Sequence, residues 1–270
     1  MKKILIYFLV FLVIGFVGIP FLWAILSSLK PIEEILTSPP KIFPSHFTSL
    51  HYSSLQETKF FLWFKNSLVV SGTTTFVSVV ISSLGAYGLT RFRFWGRNLY
   101  SQLVLFTYMF PTILIVIPLF VFLSKFGLVN SHIGLILSYL TFSLPFCLWL
   151  LVSFFQTIPV ELEEAAMVDG ANRMKALIKV VLPIAIPGII ATGIFTFILA
   201  WSEYLFALVF LSSETKFTLP LGFAGFVTQT EIMIGLVLSG TVLICLPVSL
   251  LFVFAQKFLI QGIGAGAVKG

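Results

Sequence analysis

Long apolar runs recur along this chain, each about 20 residues or more, and they leave few folds open. A helix rises about 1.5 Å per residue, so about 20 such residues carry it across the roughly 30 Å of a bilayer's hydrocarbon. The runs predict six spans, near residues 4–26, 67–90, 99–123, 132–155, 184–211 and 232–256. A transmembrane barrel would show short segments of alternating polarity instead. Composition agrees, with a mean hydropathy of +1.09 and 10% charged residues, where soluble domains carry about a quarter. The expected fold is an all-α polytopic membrane protein with six transmembrane helices. The first run follows Met1-Lys2-Lys3 as the core of a secretory leader would, but it is long and no small-residue cleavage site follows. It is expected to remain as a span.

Basic residues set the expected orientation. With the N-terminus inside, the inner segments hold Lys2, Lys3, Arg91, Arg93, Arg97, Arg173, Lys175, Lys179, Lys257 and Lys269, ten of the 16 Lys and Arg residues. Both termini and the loop after the fourth span then share the cytoplasmic side of a cell membrane. The net charge of +6 follows from this bias and from anionic headgroups, and calls for no nucleic acid. The chain divides into a first helix and outer loop over 1–66, a five-helix core over 67–256 that includes a cytoplasmic segment at 156–183, and a tail over 257–270.

Little in the chain points to chemistry of its own. Cys147 and Cys245 fall within expected spans and read as packing residues, and His46, His51 and His132 lack ligand spacing, so no metal site is expected. No GxxxxGK[ST] phosphate loop occurs, so any ATP, with its Mg, would be bound by a partner.

The most informative charges are crowded together. "ELEEAAMVDGANRMKALIKVVLP", Glu161 to Pro183, holds Glu161, Glu163, Glu164, Asp169, Arg173, Lys175 and Lys179. At mid-membrane, Asp169, Arg173, Lys175 and Lys179 would each cost about 3 kcal/mol, roughly 12 kcal/mol together, so the segment is expected outside the hydrocarbon. Pro159 and the glutamates suit the start of a short helix, and Gly170 suits a break. Met174, Leu177, Ile178 and Val181 make an apolar stripe opposite the basic residues, and Pro183 marks an expected boundary before the next span. A cytoplasmic helix-turn-helix follows.

The same stretch resembles the EAA signature of binding-protein-dependent ATP-binding-cassette permeases: EAA, three residues, Gly, nine residues, Ile, one residue, Leu-Pro. Glu164-Ala165-Ala166, Gly170 and Leu182-Pro183 stand at that spacing, with Val180 in place of the usual Ile. "SSLKPIEEI", "PPKIFPS", "HYSSL", "NSLVVSG", "AYGLTRFRFWGR" and "QKFLIQGIGAGAVKG" are similar to the second permease subunit of carbohydrate importers, the maltose-type branch. At Trp201-Ser202-Glu203-Tyr204 the chain departs from that family, which commonly has Asn before the Glu.

The resemblance implies the type I importer permease fold and a non-catalytic subunit forming half of a transmembrane pathway for a di- or oligosaccharide. Its partners would be a homologous second permease, two ATPase subunits and an extracytoplasmic solute-binding protein. It further implies that residues 163–166, 169, 170, 182 and 183 couple to the ATPase, Glu163 and Glu164 offering carboxylates to basic partners. Glu203, with Trp201, Ser202 and Tyr204 around it, is a candidate for the outer part of the path, because an acid within a span is costly and therefore points to a function. Small residues at Ser71–Thr75 and Ser82–Gly88 read as helix packing, and Pro111, Pro118, Pro145 and Pro247 as places where helices can bend. The rivals are the same machine carrying glycerol phosphate or a polyamine, and an ion-coupled carrier, which would show internal repeats that are not evident here.

Overall fold

The computed structural model describes residues 2–228 and 233–266. In chain order the helices are α1 (Lys2–Ser28), α2 (Ile32–Ile35), α3 (Leu50–Glu57), α4 (Phe60–Arg91), α5 (Arg97–Met109), α6 (Thr112–Ser124), α7 (His132–Gln156), α8 (Val160–Val168), α9 (Arg173–Ala176), α10 (Leu182–Trp201), α11 (Leu205–Phe210), α12 (Leu219–Thr228) and α13 (Ile234–Gly266). A π-helical turn, Leu177–Val181, joins α9 to α10. No strand occurs among the described residues. Five helical stretches are each long and apolar enough to cross a membrane, and a bent pair, α5 with α6, supplies a sixth.

The second expected span begins earlier, at Phe60, and two others are built differently. Instead of one helix over 99–123, α5 and α6 meet at a bend of 95°. Pro111 has no N–H to continue the ladder and pushes Phe110 out of the helical region, to ψ 132°. Pro118, Pro145 and Pro247 lie inside helices that continue through them. The expected span 184–211 starts earlier and stops sooner, as one stretch from Arg173 to Trp201. Pro183 therefore sits in the first turn of α10 without starting the span, which runs through it from Arg173. Leu182 N–H bonds back to Leu177 O, five residues earlier, and this wider turn precedes the point where Pro183 supplies no donor. The last expected span begins at residue 232, outside the described residues, and α13 runs on over 257–266 of the expected tail.

Helix α4 is the centre of the bundle, packed against α7 and α10, while α10 also packs on α13 and α13 on α1. Small and hydroxylated residues let α4 and α7 approach closely. Ser78 Oγ lies 2.8 Å from Ser143 Oγ, and Ser82 Oγ donates to Leu144 O at 3.2 Å. Cys147 is buried, its Sγ 2.9 Å from Thr196 Oγ1 on α10. Outward faces remain apolar, as a lipid solvent requires: Phe16 on α1 is 83% exposed.

At the end of the bundle holding α3, the loop before α12 is stapled by polar side chains. Asn66 Nδ2 donates to Thr215 O and Phe217 O, Trp63 Nε1 donates to Glu214 O, and Asn130 Oδ1 accepts from Ser212 and Ser213 N–H. His51 and His132 each bond a backbone carbonyl, of Lys30 and Lys216. At the opposite end, Ala86, Tyr87, Leu151, Phe155, Leu177, Val181 and Ala185 form the core beneath the charged segment.

Close approach of α10 to α7 depends on Gly188, where an added Cβ would strike the Phe154 ring. Gly188→Ala should lower stability by about 1–3 kcal/mol. Gly193→Ala on the same helix, whose Cβ would meet Val79 no closer than 3.7 Å, should be neutral or stabilising. Unfolding in mixed micelles measures both.

Candidate functional site

Among the described residues, a charged site at one end of the bundle and a second site within it combine polar groups with breaks in regular structure. At the charged end, α8 stops in a Schellman motif. Ala171 N–H bonds to Ala166 O and Gly170 N–H to Met167 O, with Gly170 at φ +87°, a conformation that favours glycine. Asn172 then caps α9, its side chain accepting from Lys175 N–H at 2.8 Å. The expected helix-turn-helix is present, and its second helix passes without interruption into a span.

Glu164, Ala165, Val168, Asp169 and Gly170 are exposed around the tip, with Ala166 half-buried. An added Cβ at Gly170 would meet nothing within 4 Å, so what its position requires within this chain is the positive φ, not space. Leu182 is half-buried and Pro183 exposed at the start of α10. The apolar stripe divides: Leu177 and Val181 enter the core, while Met174 and Ile178 stay exposed. They differ because Leu177, Val181 and Ala185, four residues apart, already make the face turned to the bundle.

Glu163 departs from its expected availability to a partner. Its side chain is 2% exposed, and its Oε2 accepts from Arg91 Nε at 2.9 Å. Tyr87 Oη donates to Oε1, and Arg91 Nη2 donates to Ile158 O at 3.0 Å. A carboxylate at this depth is stable because a cation and a hydroxyl replace its water, and both come from α4.

Within the bundle, α10 stops at Trp201 and α11 starts at Leu205. Glu203 lies in the gap and bonds the free N–H groups of α11, with Oε1 to Phe206 N at 2.8 Å and Oε2 to Ala207 N at 3.2 Å. It also borders a cavity of about 260 Å³ lined by Tyr108, Thr112, Phe142, Leu199, Leu205 and Phe206. Tyr108 and Thr112 flank the Pro111 bend, so the two broken spans meet at this cavity. The neighbours proposed with Glu203 do not join it. Trp201 is buried elsewhere, stacked on Phe197 and edge-on to Phe64. Ser202 Oγ donates to Ile198 O, and Tyr204 lies outside the cavity lining.

Residues 78–264 match the family described as the binding-protein-dependent transport system inner membrane component. The chain belongs to that family. It is 37% identical over 253 residues to the trehalose/maltose transport system permease protein MalG of Thermococcus litoralis, covering 93% of this chain and 91% of that one. It is 36% identical over 254 residues, with the same coverage, to the inner membrane ABC transporter permease protein YcjP of Escherichia coli. Diacetylchitobiose uptake system permease protein DasC of Streptomyces coelicolor is 34% identical over 261 residues, covering 96% and 95%. The crystal structure of a bacterial ABC transporter that imports the acidic polysaccharide alginate contains a chain of the same fold. It matches with a TM-score of 0.77 over 96% of both chains, at 23% identity.

For a permease of this family, sequence reasoning found the exposed hairpin but missed the groups that surround both sites. In the sequence Arg91 orients the chain, and its position in the last turn of a span is also a sign that its charge needs a partner. Tyr108, Thr112 and Phe142 gave no periodic signal, and Pro111 was the clue that the permease's third span could open there. In this permease Glu203→Ala removes both acceptors at the start of α11. Amide exchange at Phe206 and Ala207 should accelerate about fivefold, the loss of a helix cap of about 1 kcal/mol. Glu203→Gln keeps one acceptor oxygen and should restore most of the protection.

Proposed function

We propose that this permease forms half of the transmembrane pathway of an ATP-driven importer for a sugar, a di- or oligosaccharide. The reading is carried by the exposed hairpin of α8 and α9, fastened to α4 and continuous with α10. Its relatives named for trehalose/maltose and diacetylchitobiose transport support sugar as the solute class. Six spans and one coupling hairpin are half of a machine, so the partners are a homologous second permease, two ATPase subunits and an extracytoplasmic binding protein. ATP and Mg belong to the ATPase subunits. In this reading Glu164, Ala165, Ala166, Asp169 and Gly170 meet the ATPase, with apolar contact from exposed Val168, Met174 and Ile178. Glu163, Leu182 and Pro183 hold the hairpin and do not touch the partner. ATP-driven closure of the ATPase pair shifts the hairpin, and with it the balance between inward- and outward-facing packings of the spans. The cavity beside Glu203, where two spans break, lies along the path in this reading, since irregular backbone at membrane depth is tolerated where it is enclosed by protein or lines a cavity.

The hairpin end is cytoplasmic in this proposal, along with both termini, and the end holding α3 faces outward. Ser49 and Asn98 are exposed at opposite ends. Single cysteines there, with Cys147 and Cys245 replaced by serine, should differ toward a membrane-impermeant thiol reagent in intact cells. Position 49 should label and position 98 should not. The reverse pattern would refute the orientation.

Docking is tested at Gly170. Asp there must adopt φ +87° and places a second carboxylate beside Asp169 on a face that approaches the ATPase. Gly170→Asp should leave insertion intact and lower sugar uptake per ATP hydrolysed about tenfold or more, or release the ATPase from the membrane, given losses typical of a disturbed interface. Reconstituted complex in proteoliposomes, normalised to retained ATPase, measures this. Unchanged uptake with normal retention would defeat the docking assignment.

A further inference from the structure

Helix α8 is held in an unusual way for a short helix on the surface of a bundle. Its one buried residue is Glu163, while Leu162 and Val168 are exposed. Apolar anchoring would let such a helix slide and rock, because burial is non-directional. A carboxylate held by two specific donors, Arg91 Nε and Tyr87 Oη, favours one position.

The anchorage gathers the ends of three helices. Arg91 stands in the last turn of α4 and Glu163 in the first turn of α8, so each charge occupies the helix end that favours its sign. Arg91 also bonds Ile158 O, just beyond the end of α7. The side chains of the pair are 4% and 2% exposed, and Tyr87 Oη fills the remaining acceptor of Glu163. The second half of the hairpin is tied to the same place. The Arg173 guanidinium lies 5.2 Å from the centre of the Phe92 ring, and Phe92 meets Tyr87 edge-on at 5.9 Å.

We infer that Tyr87, Arg91 and Glu163 are positioning residues that make α8 and the end of α4 one mechanical body, so that motion imposed on the hairpin is delivered to α4. The inference rests on the importer reading above. Pulling α8 away from α4 would leave a buried charge without its partner, which is far less favourable than moving the two together. The short connection from α7, residues 157–159, would otherwise take up the motion as a hinge. Because α4 packs on both α7 and α10, displacement of its end reaches the centre of the bundle.

Two variants test this in the complete reconstituted complex. Glu163→Gln preserves size and an acceptor for Tyr87 but removes the charge, and Tyr87→Phe removes only a hydroxyl while keeping the ring against Phe92. Both should assemble with normal ATPase retention. The readout is uptake of radiolabelled maltose or trehalose per ATP hydrolysed, a ratio that a merely structural loss of complex does not change. Glu163→Gln should lower it about tenfold and Tyr87→Phe roughly threefold, in keeping with the strength of charge-assisted over neutral hydrogen bonds. If Glu163→Gln fails to assemble, Tyr87→Phe decides. Ratios within about twofold of wild type, or failure of both variants to assemble, would overturn the inference and leave the network a folding element. Wild-type complex measured alongside separates the two readings. A wild type that moves neither sugar counts against the importer assignment, whereas wild-type transport with unchanged variant ratios counts against the positioning residues alone.

Discussion

Hydrocarbon offers a backbone amide no partner, and nearly every feature of this chain answers that constraint. The spans are helices because a helix satisfies its own N–H and C=O groups. Where a span breaks, substitutes are present. The free N–H groups at the start of α11 receive the Glu203 carboxylate. Along the unbroken α4, serine hydroxyls bond backbone carbonyls or Ser143 across the helix contact. The Pro111 bend needs fewer substitutes, since proline brings no donor to satisfy. Breaks thus fall where the chain can supply or omit hydrogen bonds.

The same economy governs charge. With so few ionisable residues, most stand at helix ends or in loops, and a deeply buried pair, Arg91 with Glu163, occupies two helix ends whose dipoles favour it. The apolar core around Leu151, Phe155, Leu177 and Val181 lies directly beneath that pair. Packing there sets the depth of the hairpin, and the ion pair sets its register along α4. Neither would suffice alone: the core has no directional preference, and an unshielded pair would be weak in water.

Much of this was legible in the sequence, for reasons that can be named. Span number and rough position follow from hydropathy because lipid selects each apolar run independently of its neighbours. The hairpin was legible because Asp169, Arg173, Lys175 and Lys179 cannot lie in hydrocarbon, and Gly170 names its own backbone conformation. Tertiary relations were not. That Glu163 turns inward while Glu164 faces outward depends on Arg91, 72 residues away, and no local pattern distinguishes two adjacent glutamates. Pro183 misled because the usual effect of proline on a helix was answered by a π turn, which leaves no trace in periodicity. Trp201 misled because its place beside Glu203 in sequence does not carry over to the cavity. The helix turns the indole onto Phe197 and Phe64.

The turn at the tip of the hairpin has a further consequence. Between Val168 and Arg173 the caps are internal: α8 closes through Gly170 and Ala171, and α9 opens through Asn172, so both helix ends at the turn are satisfied within the hairpin itself. Its shape is fixed before anything approaches it. Ordering a flexible loop of similar length on contact would consume about 1–2 kcal/mol per residue of backbone entropy, and this tip has already lost that freedom during folding. On the importer reading, a partner meets a surface that needs no ordering of its own, so the contact can be made and released repeatedly without refolding.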